Sequence, residues 1–196
     1  MSILQVYSLP NLIYYNDDFV LRRKCRDIRP DEIHSEWFQS LVFDMLETLY
    51  SDSSGVGLAA PQVGMSIRLV VIDVKRDAKK PLVLINPTYE AINLEKVESN
   101  ESCLSVPLHS GKVMRYKSVR VRALDLNGVP FDIVGEKFLA NVFQHEIDHL
   151  DGILYIDRID SLDKLAVNDG YANAMANRAV RTLDKGRVGN EDDTRK

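Results

Sequence analysis

The chain reads as an α+β domain, with mainly antiparallel β-sheets around a central helix in its C-terminal half that carries the pattern His-Glu-x-x-His. Three observations lead there. Runs rich in β-branched residues are separated by turn signals, one pair of runs flanks Asn127-Gly128, and the strands precede one core helix instead of alternating with several. No internal repeat interrupts that order.

The first element is a helix over residues 35–50. Trp37, Leu41, Met45 and Leu49 form a stripe at a spacing of four, widened by Phe38, Val42 and Leu46. Ser51-Asp52-Ser53-Ser54-Gly55 follows as a turn. Ile67 to Val74 and Leu82 to Ile85 have the composition of strands. Val119 to Leu124 and Val129 to Val134 lie on either side of Asn127-Gly128 and predict a hairpin. A helix then runs from about Lys137 to Leu150 and stops near Gly152, a natural C-terminal cap. An apolar stripe between Leu162 and Leu183 predicts a further helix, which Gly170 weakens by roughly 1 kcal/mol relative to alanine. From Asp184 onward the chain is charged with nothing to bury, and disorder is expected there. The organisation expected is a main domain over 1–160, a helical extension over 161–183 and a polar tail over 184–196.

A length of 196 residues suits one domain with an appendage. The net charge of −4 excludes a global basic field that would draw in nucleic acid or an anionic membrane. No apolar run reaches the roughly 18–20 residues that span a bilayer. The stretch from Met1 to Asn11 has no basic segment followed by an apolar one, so no secretory signal is read there. That suggests a reducing compartment: a disulfide between Cys25 and Cys103 is one option, and a thiolate with another use in at least one of them is the favoured one.

Residues four apart on a helix share a face, so His145 and His149 can bind one metal ion. Glu146 then projects beside it, where a carboxylate can take a proton from water. Phe143, Ile147 and Leu150 place this helix in the core, where a His-Glu-His set without a cation would be costly. A catalytic ion of the zinc type takes three protein ligands, so one is missing. Downstream, Tyr155 stands where one protease pattern requires a third histidine, Glu191 lies in the polar tail, and Asp169 is a weak candidate. Upstream, Cys103 is either a small buried apolar residue or the third ligand, since one cysteine with two histidines is an accepted catalytic set. Cys25 lies among Arg22, Arg23, Lys24 and Arg26, whose charges can lower its pKa. Its segment reads as a surface strand or loop, and Cys25 is taken as structural. The run Gly55-Val56-Gly57-Leu58-Ala59-Ala60-Pro61-Gln62 permits close approach by a ligand or another strand. A tight turn entering the strand at Ile67 accounts for it equally well. A phosphate loop does not, because no Lys-Ser/Thr follows.

These three segments, in this order, resemble those of the peptide deformylases. The glycine motif matches at 55–62, the cysteine motif at 101–105 and His-Glu-x-x-His at 145–149, and the likeness covers roughly residues 3–160. The resemblance implies that Cys103, His145 and His149 hold one divalent ion, natively Fe²⁺ and in preparations often Zn²⁺, Ni²⁺ or Co²⁺. It implies that Glu146 is the general base that returns a proton to the leaving amine. Gln62, through its side-chain amide, and the backbone N–H of Leu104 would form the oxyanion hole. The implied reaction removes the N-terminal formyl group from nascent polypeptides beginning with formyl-methionine.

The peptide would lie extended beside Gly55–Leu58 as an added strand, meeting Val56, Gly57 and Ser102. An apolar pocket near Val56 and the start of the metal helix would select methionine. The partners implied are N-formylmethionyl nascent peptides. The segment after Asp160 is longer than the resemblance requires: with Arg178 and Arg181 beside its apolar stripe, a helix over 162–183 either docks transiently on the ribosome or packs on the domain or in a dimer. No membrane and no sequence-specific nucleic acid is expected. The location implied is a bacterial cytoplasm or an organelle of bacterial origin. A His-Glu-x-x-His peptidase or a non-catalytic peptide-binding relative are the competing readings. The chain departs from the family pattern at Ser102, where a glycine is usual, and at Asn141, where an apolar pocket residue is common. Leu108-His109-Ser110-Gly111 also has only a histidine where a basic residue often follows. None of these departures touches a metal ligand or Glu146.

Overall fold

The computed structural model describes residues 2–7, 20–75 and 80–167. Its helices are α1 (Pro30–Ile33), α2 (Glu36–Ser51) and α3 (Lys137–Leu150). Its strands are β1 (Gly57–Ala59), β2 (Leu69–Ile72), β3 (Leu82–Ala91), β4 (Lys96–Cys103), β5 (Val106–Tyr116), β6 (Ser118–Leu124), β7 (Pro130–Glu136) and β8 (Ala166–Val167). They form a five-stranded sheet in the order β1-β2-β3-β6-β7 and a three-stranded sheet in the order β4-β5-β8, with antiparallel pairing throughout. The α+β class expected from the sequence is therefore present.

Helix α2 begins at Ser35, whose hydroxyl accepts the Phe38 backbone N–H at 3.4 Å and so satisfies one of the free donors of the first turn. Its buried face is Phe38, Val42, Met45, Thr48 and Leu49, and Trp37 is 42% exposed. This corrects the predicted stripe. A strict spacing of four advances about 40° too far per step on a 3.6-residue helix, so Trp37 drifts off the face that Met45 and Leu49 occupy. The alternation of four and three that begins at Phe38 stays on it.

All four residues of β2 are buried. Leu69 and Val71 pack with Phe38, Val42 and Met45 of α2, while Val70 and Ile72 pack with Ala140, Phe143 and Ile147 of α3. The larger sheet is thus a layer between two helices, which is why β2 reads as a continuous apolar run without alternation. The predicted hairpin is β6–β7. Its turn is closed by the Asp125 carboxylate, which accepts the Asn127 and Val129 N–H groups at 2.8 Å each, with Gly128 at φ 74°.

Helix α3 ends at Gly152, which has φ 74° and lies so close to Arg22 that a Cβ would stand 2.6 Å from its carbonyl oxygen. Only glycine meets both demands. Two expectations need correction. The hairpin β4–β5 was not foreseen, and the start of the expected C-terminal helix is instead a 3₁₀ turn (Leu162–Lys164) followed by β8, which pairs Ser110 with Ala166 and His109 with Val167. The remainder of that extension, Asp169, Arg178, Arg181 and the polar tail lie outside the described residues. Among the described residues no helix is long and apolar enough to cross a membrane.

Candidate metal centre and cleft

Helix α3 carries His145, Glu146 and His149, and its next turn toward the N-terminus carries Asn141 and Val142. Strand β4 delivers Cys103 from the other sheet, past a register shift between Ser102 and Cys103 that re-aims the strand end. One donor atom from each of Cys103, His145 and His149 lies within 4.8 Å of the others. Cys103 Sγ is 3.3 Å from His149 Nε2. The alternative of Cys103 as a packing residue is thereby displaced: its thiol belongs to the histidine cluster, although Cys103 also borders a small core with Val106, Tyr155 and Ile156.

One thiol and two imidazoles are a donor set of catalytic transition-metal sites. Glu146 Oε2 and His149 Nδ1 are buried with no hydrogen-bond partner among the described residues, so the polar cluster is incomplete by itself. Both observations fit a cation held by the three donors. Burial raises the Glu146 pKa to about 7, against the opposing pull of His145. Burial, reinforced by His145, holds His149 well below its usual value and therefore neutral, as a metal ligand must be. Burial would also lower His145, but hydrogen bonding to Cys103 and Glu101 outweighs it and raises its pKa well above normal. A bound cation would take the place of that proton.

The orientation of His145 is fixed from behind. Its Nδ1 meets Glu101 Oε2 at 2.8 Å, which turns Nε2 toward the cluster. Glu101 is in turn clamped by Arg115 through two bonds of 2.7 and 2.9 Å. Arg115 also bonds Asp148 at 2.5 Å, and Arg158 bonds the same carboxylate. Burial alone would raise the Glu101 pKa, but the hydrogen bonds from Arg115 and His145 override it and hold the value at about 2. Sequence reasoning missed Arg115, Asp148 and this role of Glu101. The available signal was charged residues inside otherwise buried motifs: Glu101 two residues before Cys103, and Asp148 directly before His149.

Gln62 sits in a 3₁₀ turn (Ala60–Val63) that follows β1. Its Oε1 accepts the Ala59 backbone N–H at 2.9 Å, so its amino group must face the other way. That amino group lies 3.5 Å from Cys103 Sγ and 3.2 Å from Ser105 Oγ. Leu104 and Ser105 form the turn between β4 and β5, and Ser105 N–H donates to Cys103 Sγ at 3.4 Å. Gly57 faces Glu146 so closely that a Cβ there would lie 2.5 Å from Oε1. This explains the glycine motif: the strand must pass directly over the carboxylate.

The cluster opens into a cleft of about 480 Å³. Val56, Gly57, Gln62, Ser102, Leu104 and Glu146 all line it, together with Cys103 and His145. His149 lies behind them and is 1% exposed. Every site residue expected from the sequence is therefore at this cleft or directly behind it. Cys25 is elsewhere: its segment is a surface loop in which Arg23, Lys24 and Arg26 are exposed, as expected, and Cys25 alone turns inward, 4% exposed. Burial pushes its thiol pKa up, as suits a structural residue.

Comparison with known proteins agrees with this geometry. Residues 10–165 match the family described as polypeptide deformylase. A peptide deformylase of Vibrio parahaemolyticus is 42% identical over 180 residues, covering 90% of this chain and 99% of the relative. One from Lachnoclostridium phytofermentans is 50% identical over 121 residues, covering 62% of this chain and 73% of that protein. Among solved structures, a peptide deformylase from Legionella pneumophila superposes with a TM-score of 0.74 at 36% identity, covering 96% of this chain and 99% of the other. One from Synechococcus elongatus, in complex with actinonin, gives 0.70 at 36% identity and covers 82% of this chain and 81% of that one. With the family match spanning most of its length and the glycine, cysteine and histidine motifs meeting in one cleft, the chain belongs to the peptide deformylase family.

Proposed function

We propose that this protein is a metal-dependent amide hydrolase that removes the N-terminal formyl group from the formyl-methionine of nascent polypeptides and releases formate. The observation that carries this reading is the convergence of Cys103, His145 and His149 at the floor of the cleft with an unpartnered Glu146 beside them. A divalent ion held by those three donors, Fe²⁺ natively and Zn²⁺, Ni²⁺ or Co²⁺ in preparations, would supply Lewis acidity and bring the pKa of water near 7.

The chain's own groups divide the remaining work. Glu146 takes a proton from the attacking water as the new C–O bond forms at the formyl carbon. The Gln62 amino group, aimed by the bond from Ala59, and the Leu104 backbone N–H face the charge that builds on the formyl oxygen. As the C–N bond breaks, Glu146 returns the proton to the amine, which has no other good way to leave. Formate and a free amino terminus result.

The substrate backbone has two strand edges to follow. Strand β1 ends the larger sheet and β4 ends the smaller one, and residues of both line the cleft. An extended peptide pairing there is held by main-chain bonds that tolerate varied sequences. Ser102 lines this slot from β4 with its side chain exposed, so it contacts the peptide without filling its path. Transient ribosome contact belongs to the same proposal.

Metal analysis combined with formate release from formyl-Met-Ala-Ser tests the reading. About one divalent ion per chain with formate produced is the expected result. Metal without formate favours a peptidase, and neither favours a peptide-binding module. Gln62→Ala is expected to lose about 10²–10³ in kcat, the usual effect of removing one oxyanion donor. Unchanged turnover in a folded Gln62→Ala protein removes Gln62 from the oxyanion hole.

A further inference from the structure

The turn that carries Gln62 is held by a distant part of the chain. Residues 2–7 reach it by way of α2. Asp44 accepts the Ser2 N–H at 2.7 Å with one carboxylate oxygen and the Ser2 hydroxyl at 3.0 Å with the other. Thr48, one helical turn on, accepts the Leu4 N–H at 2.9 Å. Leu4 itself packs against the apolar cluster that contains Met45 and Leu49. The segment then meets the 3₁₀ turn: the Tyr7 N–H donates to the Gln62 carbonyl at 2.7 Å. The Tyr7 ring lies against Gly64, so close that a Cβ there would stand 2.9 Å from it.

The last carbonyls of a helical turn need partners from outside its regular bonding pattern. Those of Ala60 and Pro61 are taken just downstream, by Met65 at 3.0 Å and Gly64 at 3.1 Å. That of Gln62 is taken by Tyr7. The consequence falls on the buried Gln62 side chain, whose Oε1 is fixed by the Ala59 N–H and whose amino group is set toward Cys103 and Ser105. The Ala59 bond sets the rotation of the amide. The Tyr7 bond pins the backbone from which that side chain springs. A reacting constellation has to be held within about 0.5 Å of its productive geometry, and groups behind the reacting ones supply that precision.

We propose that Tyr7 is a positioning residue for the oxyanion donor: its N–H and ring hold the Gln62 turn where the amide meets the charge on the formyl oxygen. Residues 2–7 thereby act in the reaction without touching substrate. This rests on the reading of Gln62 given above. Tyr7 is not among the residues that line the cleft, so its effect on turnover passes through the turn. A contact realised only in the transition state lowers kcat and kcat/KM together and leaves KM alone. A strap that served stability alone would lower the unfolding midpoint and spare kcat in the folded enzyme.

Three variants of the metal-loaded full chain test this with formyl-Met-Ala-Ser. Tyr7→Pro removes the N–H, Tyr7→Ala removes the ring, and Tyr7→Phe keeps both. Tyr7→Pro is expected to lose about tenfold in kcat at unchanged KM, short of the roughly 10²-fold that a 1 Å misplacement costs. Tyr7→Ala should lose less, and Tyr7→Phe should restore kcat. Tyr7→Pro and Tyr7→Ala are also made in the Gln62→Ala background, where two changes acting through one donor do not add. There neither should cause a further loss. Metal content and the urea unfolding midpoint establish that folded, loaded proteins are compared. Should Tyr7→Pro not fold, Tyr7→Ala carries the same comparison. An unchanged kcat in both variants, or a loss of equal size with and without Gln62, overturns the inference alone. Unchanged turnover in Gln62→Ala removes the oxyanion role and this inference with it, and absence of formate from wild type overturns the deformylase reading itself.

Discussion

Glu146→Gln is expected to keep its fold and bound metal while losing about 10³- to 10⁴-fold in kcat, the upper part of the range for a positioned acid–base group. The size follows from the double duty of one carboxylate, which both accepts a proton and returns it. The substitution preserves shape, so the space over which Gly57 passes stays filled and β1 need not move. What is lost is the acceptor oxygen that the fold leaves unpartnered. Steady-state kinetics with a formyl-Met peptide, alongside metal content, measure this. Activity within tenfold of wild type at equal metal content assigns the proton transfers to another group.

Arg115→Met should cost about 3–5 kcal/mol of folding stability, the usual result of removing one partner from a buried ion pair. Glu101 and Arg115 are each 2% exposed at the side chain, and Asp148 is 5% exposed. Asp148 keeps Arg158, but Glu101 retains only His145. Against a typical total of about 5–15 kcal/mol, that loss is large. Metal affinity should also fall by about 10- to 100-fold, because the group orienting His145 loses its anchor. Urea unfolding and metal titration read the two effects. Arg122→Met serves as the control: its bond to Glu90 is 58% and 50% exposed, and its removal should cost less than about 1 kcal/mol. Equal unfolding midpoints for the two variants contradict the structural role of Arg115.

The parts of the fold legible in the sequence are those where one physical rule acts alone. The β6–β7 hairpin follows from Asn127-Gly128 between alternating runs, and α3 follows from apolar periodicity closed by a glycine. The β4–β5 hairpin was illegible for the opposite reason. Most of β4 is exposed, and the inward positions of β5 hold Gly111, Val113 and Arg115. A glycine and an arginine at core positions erase the alternation that marks a strand. The site divides in the same way. His145, Glu146 and His149 lie on one helix face and can be read locally, whereas Cys103 needs a partner 46 residues away. The anchoring of His145 by Glu101, Arg115 and Asp148 joins three separate elements and leaves no local pattern.

Among the described residues no strand pairs with the outer edge of β1, and this has a further consequence. On the proposed binding mode, a chain can occupy a slot bordered by strand edges only if it is extended and its end is loose enough to enter, because the slot closes on the Cys103, His145 and His149 cluster. A polypeptide whose first residues have already been built into a helix or a sheet cannot present them in that form. Selection at this cleft therefore acts on the age of the substrate as much as on its chemistry. On that reading the formyl group is cleaved in the interval between emergence of the chain and folding of its first residues.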